Sequence, residues 1–469
     1  MSALSIQGVS SSAGKSLVVT ALARAFRRRG VAVAPFKAQN MSNNARVVDG
    51  GEIGVAQYLQ ARAAGIEPDV RMNPILVKPE ADDRSQLVLL GKVDRELSRR
   101  PWTERPVSLW PVARHALSEL LSEYELVLLE GAGSPAETNL RESDLSNMRS
   151  AHEAGAPVVL VADIDRGGAF AHLHGTWSLV THADRGLLRG FVLNKFRGDP
   201  GLLGQAPADV EQATGMRYVG LLPFVAHGLP DEDGAATPST GSAGKRVGIV
   251  RYPTASNLDE FKPLEQVADV RWVGSTNDLD GCELVVLPGS KHVAGDLDWL
   301  RASGLAAGVV DHAAAGRPVL GICGGLQMLG ERIVDRSGVD GTRTGLGLLP
   351  TKTVFGTEKL TEHAKVAFGV LDGPFAALSG VTAPGYEIRH GETTPVGVVH
   401  RAAADGRAFS AGSVLGLTAH GVLGDPAVLA ALFDRTPEHD LDRVFDDLAD
   451  LVEERLDVSA LGRWAGVEV

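Results

Sequence analysis

Short apolar runs alternate with helix-periodic segments along the first half of the chain. Leu4–Gly8, Val31–Phe36, Leu126–Glu130, Pro157–Ala162, Gly190–Asn194 and Tyr218–Pro223 are rich in Val, Leu and Ile. Several of them lack the in–out alternation of a half-exposed strand, and strands buried on both faces of a parallel sheet read this way. Ser16–Arg29 has helical spacing, and the alternation of strand and helix predicts an α/β fold with a parallel sheet wrapped by helices. The second half restarts the same grammar at Arg246–Arg251, Val270–Val273, Leu284–Pro288 and Pro318–Ile322. Gly345–Leu349, Gly385–His390 and Val414–Thr418 are shorter and stand as candidates for antiparallel additions. From Pro437 onward Leu441, Val444, Phe445, Leu448, Leu451, Val452 and Leu456 recur at helical spacing with acids between them, which predicts a packed amphipathic helix.

Between the halves, Gly228 to Lys245 is rich in Gly, Pro, Ser, Thr and acid and carries no periodicity, as a linker does. The expected organisation is therefore a domain over 1–227, a linker over 228–245, a second α/β domain over 246–436 and a helical tail over 437–469. The length of 469 residues agrees with two or three domains at roughly 150 residues each. A formal charge of −12 argues against a surface that coats nucleic acid. No run approaches the length of a membrane span, and the first residues lack the basic start and apolar core of a signal peptide. Two cysteines, Cys282 and Cys323, make no disulfide framework. A cytoplasmic location is the expectation, with no nucleic acid or membrane partner; a homo-oligomer stays open.

The first strand runs into VSSSAGKS and then a helix. Backbone N–H groups of such a loop, Ser12 and Gly14 among them, cradle phosphate oxygens at a helix N-terminus. Lys15 would reach the outer phosphates and the Ser16 hydroxyl would ligate Mg²⁺. The strict motif places four residues between its glycines; here Val9 to Ala13 separate Gly8 from Gly14, so the match is imperfect. Downstream, Glu130 ends a strand and could hold the metal with Ser16, because ligands of open α/β sheets sit at strand C-termini. Asn194 ends another strand, where an amide could read an adenine edge. Lys37-Ala-Gln-Asn-Met-Ser-Asn-Asn-Ala45 is crowded with amides, so Gln39, Asn40 and Asn43 are candidates for reading a large polar ligand. Asp144 could assist carboxylate activation, or could be a turn or cap residue.

In the second half, Pro318-Val-Leu-Gly-Ile-Cys323 meets two glycines and then a helical segment. The glycines permit a sharp turn that projects the sulfur at a helix N-terminus, where the reactive thiolate is favoured. Cys282, which precedes a strand and has no such elbow, reads as structural. His420, between a strand-like run and Gly421, is the candidate base. Gly289, at the end of Val286-Leu-Pro-Gly289-Ser290, and Gly324 are candidates for oxyanion-binding N–H groups.

These residues resemble two known families. The long phosphate loop, the strand-end Glu130-Gly-Ala-Gly and the strand-end Asn194-Lys resemble dethiobiotin-synthetase-type P-loop enzymes, which phosphorylate a carboxylate with ATP before a nitrogen nucleophile attacks. LPGS, GICGG and the His420-Gly pair resemble class I glutamine amidotransferases, with a flavodoxin-like fold. Their usual Glu two residues after the histidine is absent, since Val422 stands there; no third group is assigned. Glu387, in Tyr386-Glu-Ile-Arg-His-Gly391, ranks below the Cys323–His420 dyad as an orienting or substrate residue. KAQNMSNNA, Met72-Asn-Pro-Ile-Leu-Val-Lys-Pro79, Gly131-Ala-Gly-Ser-Pro-Ala-Glu137 and Asp144-Leu-Ser-Asn-Met148 resemble the cobyric acid synthase family of the cobalamin pathway.

That resemblance implies ATP and Mg²⁺ in the first half and glutamine as nitrogen donor in the second. It further implies adenosylcobyrinic acid a,c-diamide as acceptor, amidated at its b, d, e and g side-chain carboxylates. Another ATP-dependent amidotransferase (a cobyrinate a,c-diamide synthase or a cell-wall precursor amidase) is one alternative. A P-loop nucleotide switch carrying an inactive amidotransferase module is the other.

Overall fold

A computed structural model describes residues 2–81, 84–230, 244–438 and 440–468. Most of the expected linker, 231–243, lies outside them. The first half is built on six parallel strands, ordered in space as Arg217–Pro223, Leu188–Phe196, Val158–Asp163, Ala3–Gly8, Leu126–Glu130 and Val33–Phe36. All six expected strands are present, and the first, third and fourth of them in chain order are buried along their whole length. The helix Lys15–Arg28 follows the first strand directly. Beside this sheet, Gln39–Met41 pairs with Ile75–Ala81, which continues antiparallel into Arg84–Leu89 and Lys92–Asp94.

The second half holds a sheet ordered Asp269–Val273, Arg246–Val250, Leu284–Leu287, Val319–Ile322, Val414–Leu417 and Ala408–Ala411. Only the last of these runs antiparallel to its neighbour. Val414–Leu417 is therefore not an antiparallel addition: it pairs parallel with Val319–Ile322. That pairing puts the ends of both strands, Cys323 and the turn to His420, at the same edge. Gly385–His390 does lie in an antiparallel ribbon, Thr382–Pro395 against Thr351–Ala367. Gly345–Leu349 is not a strand. Its backbone N–H groups bond back to carbonyls of Met328, Leu329, Gly330 and Glu331, so it wraps the end of the short helix Gly324–Leu329 instead of joining a sheet.

The tail forms two helices, Leu441–Arg455 and Val458–Ala465. They pack on the first half, not the second. Phe445, Leu448, Val452, Leu456 and Leu461 share one buried cluster with Leu4, Val18, Leu22 and Phe26. Burial of each large side chain contributes about 1.5–3 kcal/mol, so the tail supplies a stabilisation comparable with the net stability of a domain. Arg24 adds an ion pair to Asp446 at 2.7 Å. The Phe445→Ala variant is expected to destabilise the first half by about 3–5 kcal/mol, seen as an earlier transition in guanidinium unfolding. An unchanged transition would show that the tail is not part of that core.

Candidate functional site

A cysteine-centred site is assembled at the C-terminal edge of the second sheet. Cys323 ends the buried strand Val319–Ile322 with φ at 51° and ψ at −103°. This left-handed value is strained for a residue with a Cβ, and such strain marks nucleophile elbows. The turn is possible because its neighbours are glycines: a Cβ on Gly325 would stand 1.9 Å from the Leu287 carbonyl oxygen. A Cβ on Gly324 would stand 2.7 Å from the Ser290 nitrogen, and one on Gly289 would stand 2.6 Å from His420 Cε1. The backbone of Gly289–Ser290, the backbone of Gly324 and the His420 ring thus converge beside the sulfur, as the sequence predicts.

His420 is buried and faces Cys323, which acts on its charge, while the Cys323 Sγ itself donates to the Ile388 carbonyl at 3.7 Å. The third group that sequence reasoning left unassigned is Glu260. Its Oε1 lies 2.8 Å from His420 Nδ1, and its Oε2 accepts the Gly421 N–H at 2.8 Å. Burial pulls the imidazole pKa down, but the charges of Glu260 and the Cys323 thiolate outweigh it and push His420 up to about 10. At neutral pH the proton therefore resides on the imidazole. Tyr386 stacks on the ring at 5.5 Å and exchanges backbone hydrogen bonds with His420. Glu387 points elsewhere, to Arg389 at 3.0 Å and Arg407 at 3.3 Å, so it does not orient the dyad. Cys282 is buried in the apolar cluster behind the sheet, as a structural thiol would be.

In the first half, Ser16 Oγ donates to Glu130 Oε1 at 2.9 Å. Lys37 Nζ reaches the same oxygen at 2.9 Å, and Gln60 Nε2 bonds Oε2. Lys15 Nζ lies across the loop, 3.2 Å from the Ser10 carbonyl and 3.4 Å from that of Gly133. Ser12 and Gly14 both have positive φ, which curls the loop; a Cβ at Gly14 would meet Asn194 Nδ2 at 2.0 Å. Among the described residues, Gln57 Nε2 and Gln60 Oε1 are buried polar atoms with no protein partner. A cradle of N–H groups, a lysine, a hydroxyl beside a carboxylate and orphaned amides together fit a nucleotide phosphate with its Mg²⁺. Lys37, Gln57 and Gln60 were not singled out from the sequence, since only folding brings them to Glu130.

Two of the expected residues, Asn194 and Asp144, have local hydrogen-bond partners. Asn194 donates to the Ala13 carbonyl at 2.8 Å and accepts from the Lys195 N–H at 2.9 Å. Its amide holds the phosphate loop. Asp144 accepts the Ser146 and Asn147 N–H groups at 2.9 and 3.0 Å and the Asn147 side chain at 2.8 Å, so both oxygens close a turn. Gln39 is tied through its backbone to Ser146, and Asn40 is buried against Gln57. Asn43 differs: it lines a large cleft between the halves, and its buried Oδ1 has no partner. Cys323 opens on the same cleft.

The halves meet along a strip beside His420. Ala45 N–H donates to Asn257 Oδ1 and Leu258 N–H donates to Asn44 Oδ1, each at 3.0 Å. Arg46 pairs with Asp259 and with the Tyr386 hydroxyl.

Comparison with known proteins agrees with this two-part site. A family model described as the CobQ/CobB/MinD/ParA nucleotide binding domain matches residues 4–228. A second, the CobB/CobQ-like glutamine amidotransferase domain, matches 246–428. A relative from Polaromonas sp. (strain JS666), named cobyric acid synthase, is 51% identical over 491 residues, covering 97% of this chain and 97% of that protein. One of the same name from Variovorax paradoxus (strain S110) is 52% identical over 472 residues, covering 97% and 98%. A third, from Paracidovorax citrulli (strain AAC00-1), is 52% identical over 475 residues, covering 96% of each.

The raised His420 pKa has a sign that can be tested. The imidazolium persists through neutral pH and is lost as pH rises through about 10. Glutamine hydrolysis is expected to hold to about pH 9 and then fall. The Glu260→Gln variant removes the charge that raises His420, so its alkaline limb is expected to move to lower pH while kcat falls about 100-fold or more. An unmoved limb would show that Glu260 does not control the imidazole.

Proposed function

Since the chain belongs to the cobyric acid synthase family, we propose that it amidates the b, d, e and g carboxylates of adenosylcobyrinic acid a,c-diamide, using ATP and glutamine. The observation that carries this reading is the Cys323–His420–Glu260 row, opening on a cleft shared with the amide-rich loop of the first half. An inactive module would have no reason to keep a strained cysteine beside a charged imidazole.

The chemistry follows from these placements. The Cys323 thiolate attacks the γ-carboxamide carbon of glutamine, and backbone N–H groups at Gly324 and Gly289–Ser290 receive the charge that develops on its oxygen. His420 gives its proton to the departing nitrogen, which leaves as ammonia, and water then hydrolyses the glutamyl thioester to glutamate. In the first half, an acceptor carboxylate oxygen attacks the terminal phosphorus of ATP, giving an acyl phosphate and ADP. Ammonia adds to the acyl carbon, one of its protons passes to the departing phosphate, and the amide and inorganic phosphate result. Lys15 steadies the transferred phosphoryl group and Lys37 offsets the Glu130 charge. Mg²⁺, held by Ser16 and Glu130, would supply charge neutralisation at the phosphates. Water competes for the acyl phosphate, so burial of the reacting groups favours the amide.

The experiment is mass spectrometry of the corrinoid after incubation with ATP, Mg²⁺ and either glutamine or ammonium. Four successive amide-forming mass changes are expected with either donor. In the Cys323→Ala variant the glutamine reaction falls by several orders of magnitude, while the ammonium reaction survives. In the Lys15→Ala variant both fall about 100-fold or more. Failure of ammonium to rescue Cys323→Ala would overturn the division of roles, and no mass change with wild-type protein would overturn the acceptor.

A further inference from the structure

The cleft between the halves has a volume of about 2130 Å³, whereas ligand pockets of ordinary size run to roughly 300–1,000 Å³. It is far larger than glutamine requires. Ten lysines and arginines line it against six aspartates and glutamates, although the whole chain carries −12. An acidic protein has thus concentrated positive charge in one concave place, which attracts and holds polyanions.

At its wall three lysines from both halves meet two carboxylates. Lys78 reaches Glu52 at 2.6 Å, Lys359 pairs with the other oxygen of Glu52, and Lys291 reaches Glu80 at 3.1 Å. Lys359 also donates to Gln86 at 3.2 Å. Lys78 and Glu52 are buried almost completely. Two carboxylates cannot neutralise three ammonium groups, and uncompensated charge away from water is costly. The strain registers on Lys78: burial and the neighbouring lysines, opposed by Glu52, bring its ammonium down to about 7. An incoming carboxylate would supply the missing charge. The route to the nucleotide is short, because the segment that begins at Lys37, bonded to Glu130, reaches this cleft at Met41 and Asn43.

We propose that Lys78, Lys291 and Lys359 grip the unamidated carboxylates of the acceptor at the junction of the two halves, and that the grip weakens with each amidation. This rests on the acceptor class given above. A carboxylate pairs with an ammonium by a charge-assisted hydrogen bond, whereas an amide offers only a neutral one of roughly half the strength. Each turnover therefore removes one anchor. The more fully amidated the molecule, the more readily it is released.

The test is equilibrium dialysis of the full chain against adenosylcobyrinic acid a,c-diamide and, separately, adenosylcobyric acid, with ATP binding as the measure of an intact first half. Wild type is expected to bind the diamide at least about tenfold more tightly than the product. Lys291→Met and Lys359→Met should each weaken the diamide about tenfold and leave the product nearly unchanged, which collapses the preference; Lys359→Arg should restore it. If Lys359→Met loses ATP binding through misfolding, Lys291→Met decides. Undiminished preference in the variants, or a changed glutamine KM with unchanged corrinoid binding, would overturn the grip. Neither result would touch the amidation reading if wild type still converts the diamide. Wild type that binds neither corrinoid would sink both.

Discussion

Everything catalytic in this chain depends on the seam where Asn44–Arg46 meets Asn257–Glu260. Two reciprocal side-chain-to-backbone bonds fix the register of the two loops. Arg46 then crosses the seam to Asp259 and lies 4.8 Å from the centre of the Tyr386 ring. A buried guanidinium and carboxylate tolerate no lateral slip, because breaking such a pair leaves an uncompensated charge that costs about 3–5 kcal/mol. Glu260 follows Asp259 directly, and Tyr386 stacks on His420. The seam that joins the halves is therefore also the scaffold that orients the imidazole. A shift at Asn44, on the acceptor side, would be felt at the sulfur.

The parallel strands were legible because burial on both faces leaves an unbroken apolar run. The nucleophile was legible because a strand, a cysteine and two glycines in sequence allow little else. Glu260 was not: it lies 160 positions before His420 and belongs to a short helical turn with no motif of its own. The familiar place for such a carboxylate, two residues after the histidine, is occupied by buried Val422. Asn194 and Asp144 show the reverse. Both hydrogen-bond to the local backbone, and no pattern of residue types distinguishes a loop-holding side chain from a ligand-holding one. Val414–Leu417 failed in another way: a four-residue run does not announce the direction of its partner.

Electrostatics separates the two chemistries. On the sulfur side a buried carboxylate, Glu260, holds positive charge on the His420 imidazole beside Cys323. On the nucleotide side a buried carboxylate, Glu130, is held by Lys37, Gln60 and Ser16. Between them lies a cleft with excess positive charge.

The tail explains why the halves stay together. After completing the second sheet, the chain returns to pack Leu441–Arg455 and Val458–Ala465 on the helix that follows the phosphate loop. In topology the amidotransferase half is thus an insertion into the core of the first. Arg24, Arg28 and Arg29 meet Asp446, Asp450 and Glu453 along this contact. Such partly exposed pairs contribute little individually; the apolar residues beneath them hold the strap. A single linker would let the halves swing apart at the cost of the seam alone. Two crossings, one of them embedded in a hydrophobic core, make separation as costly as unfolding the first half, and an intermediate as vulnerable to water as an acyl phosphate calls for that constraint.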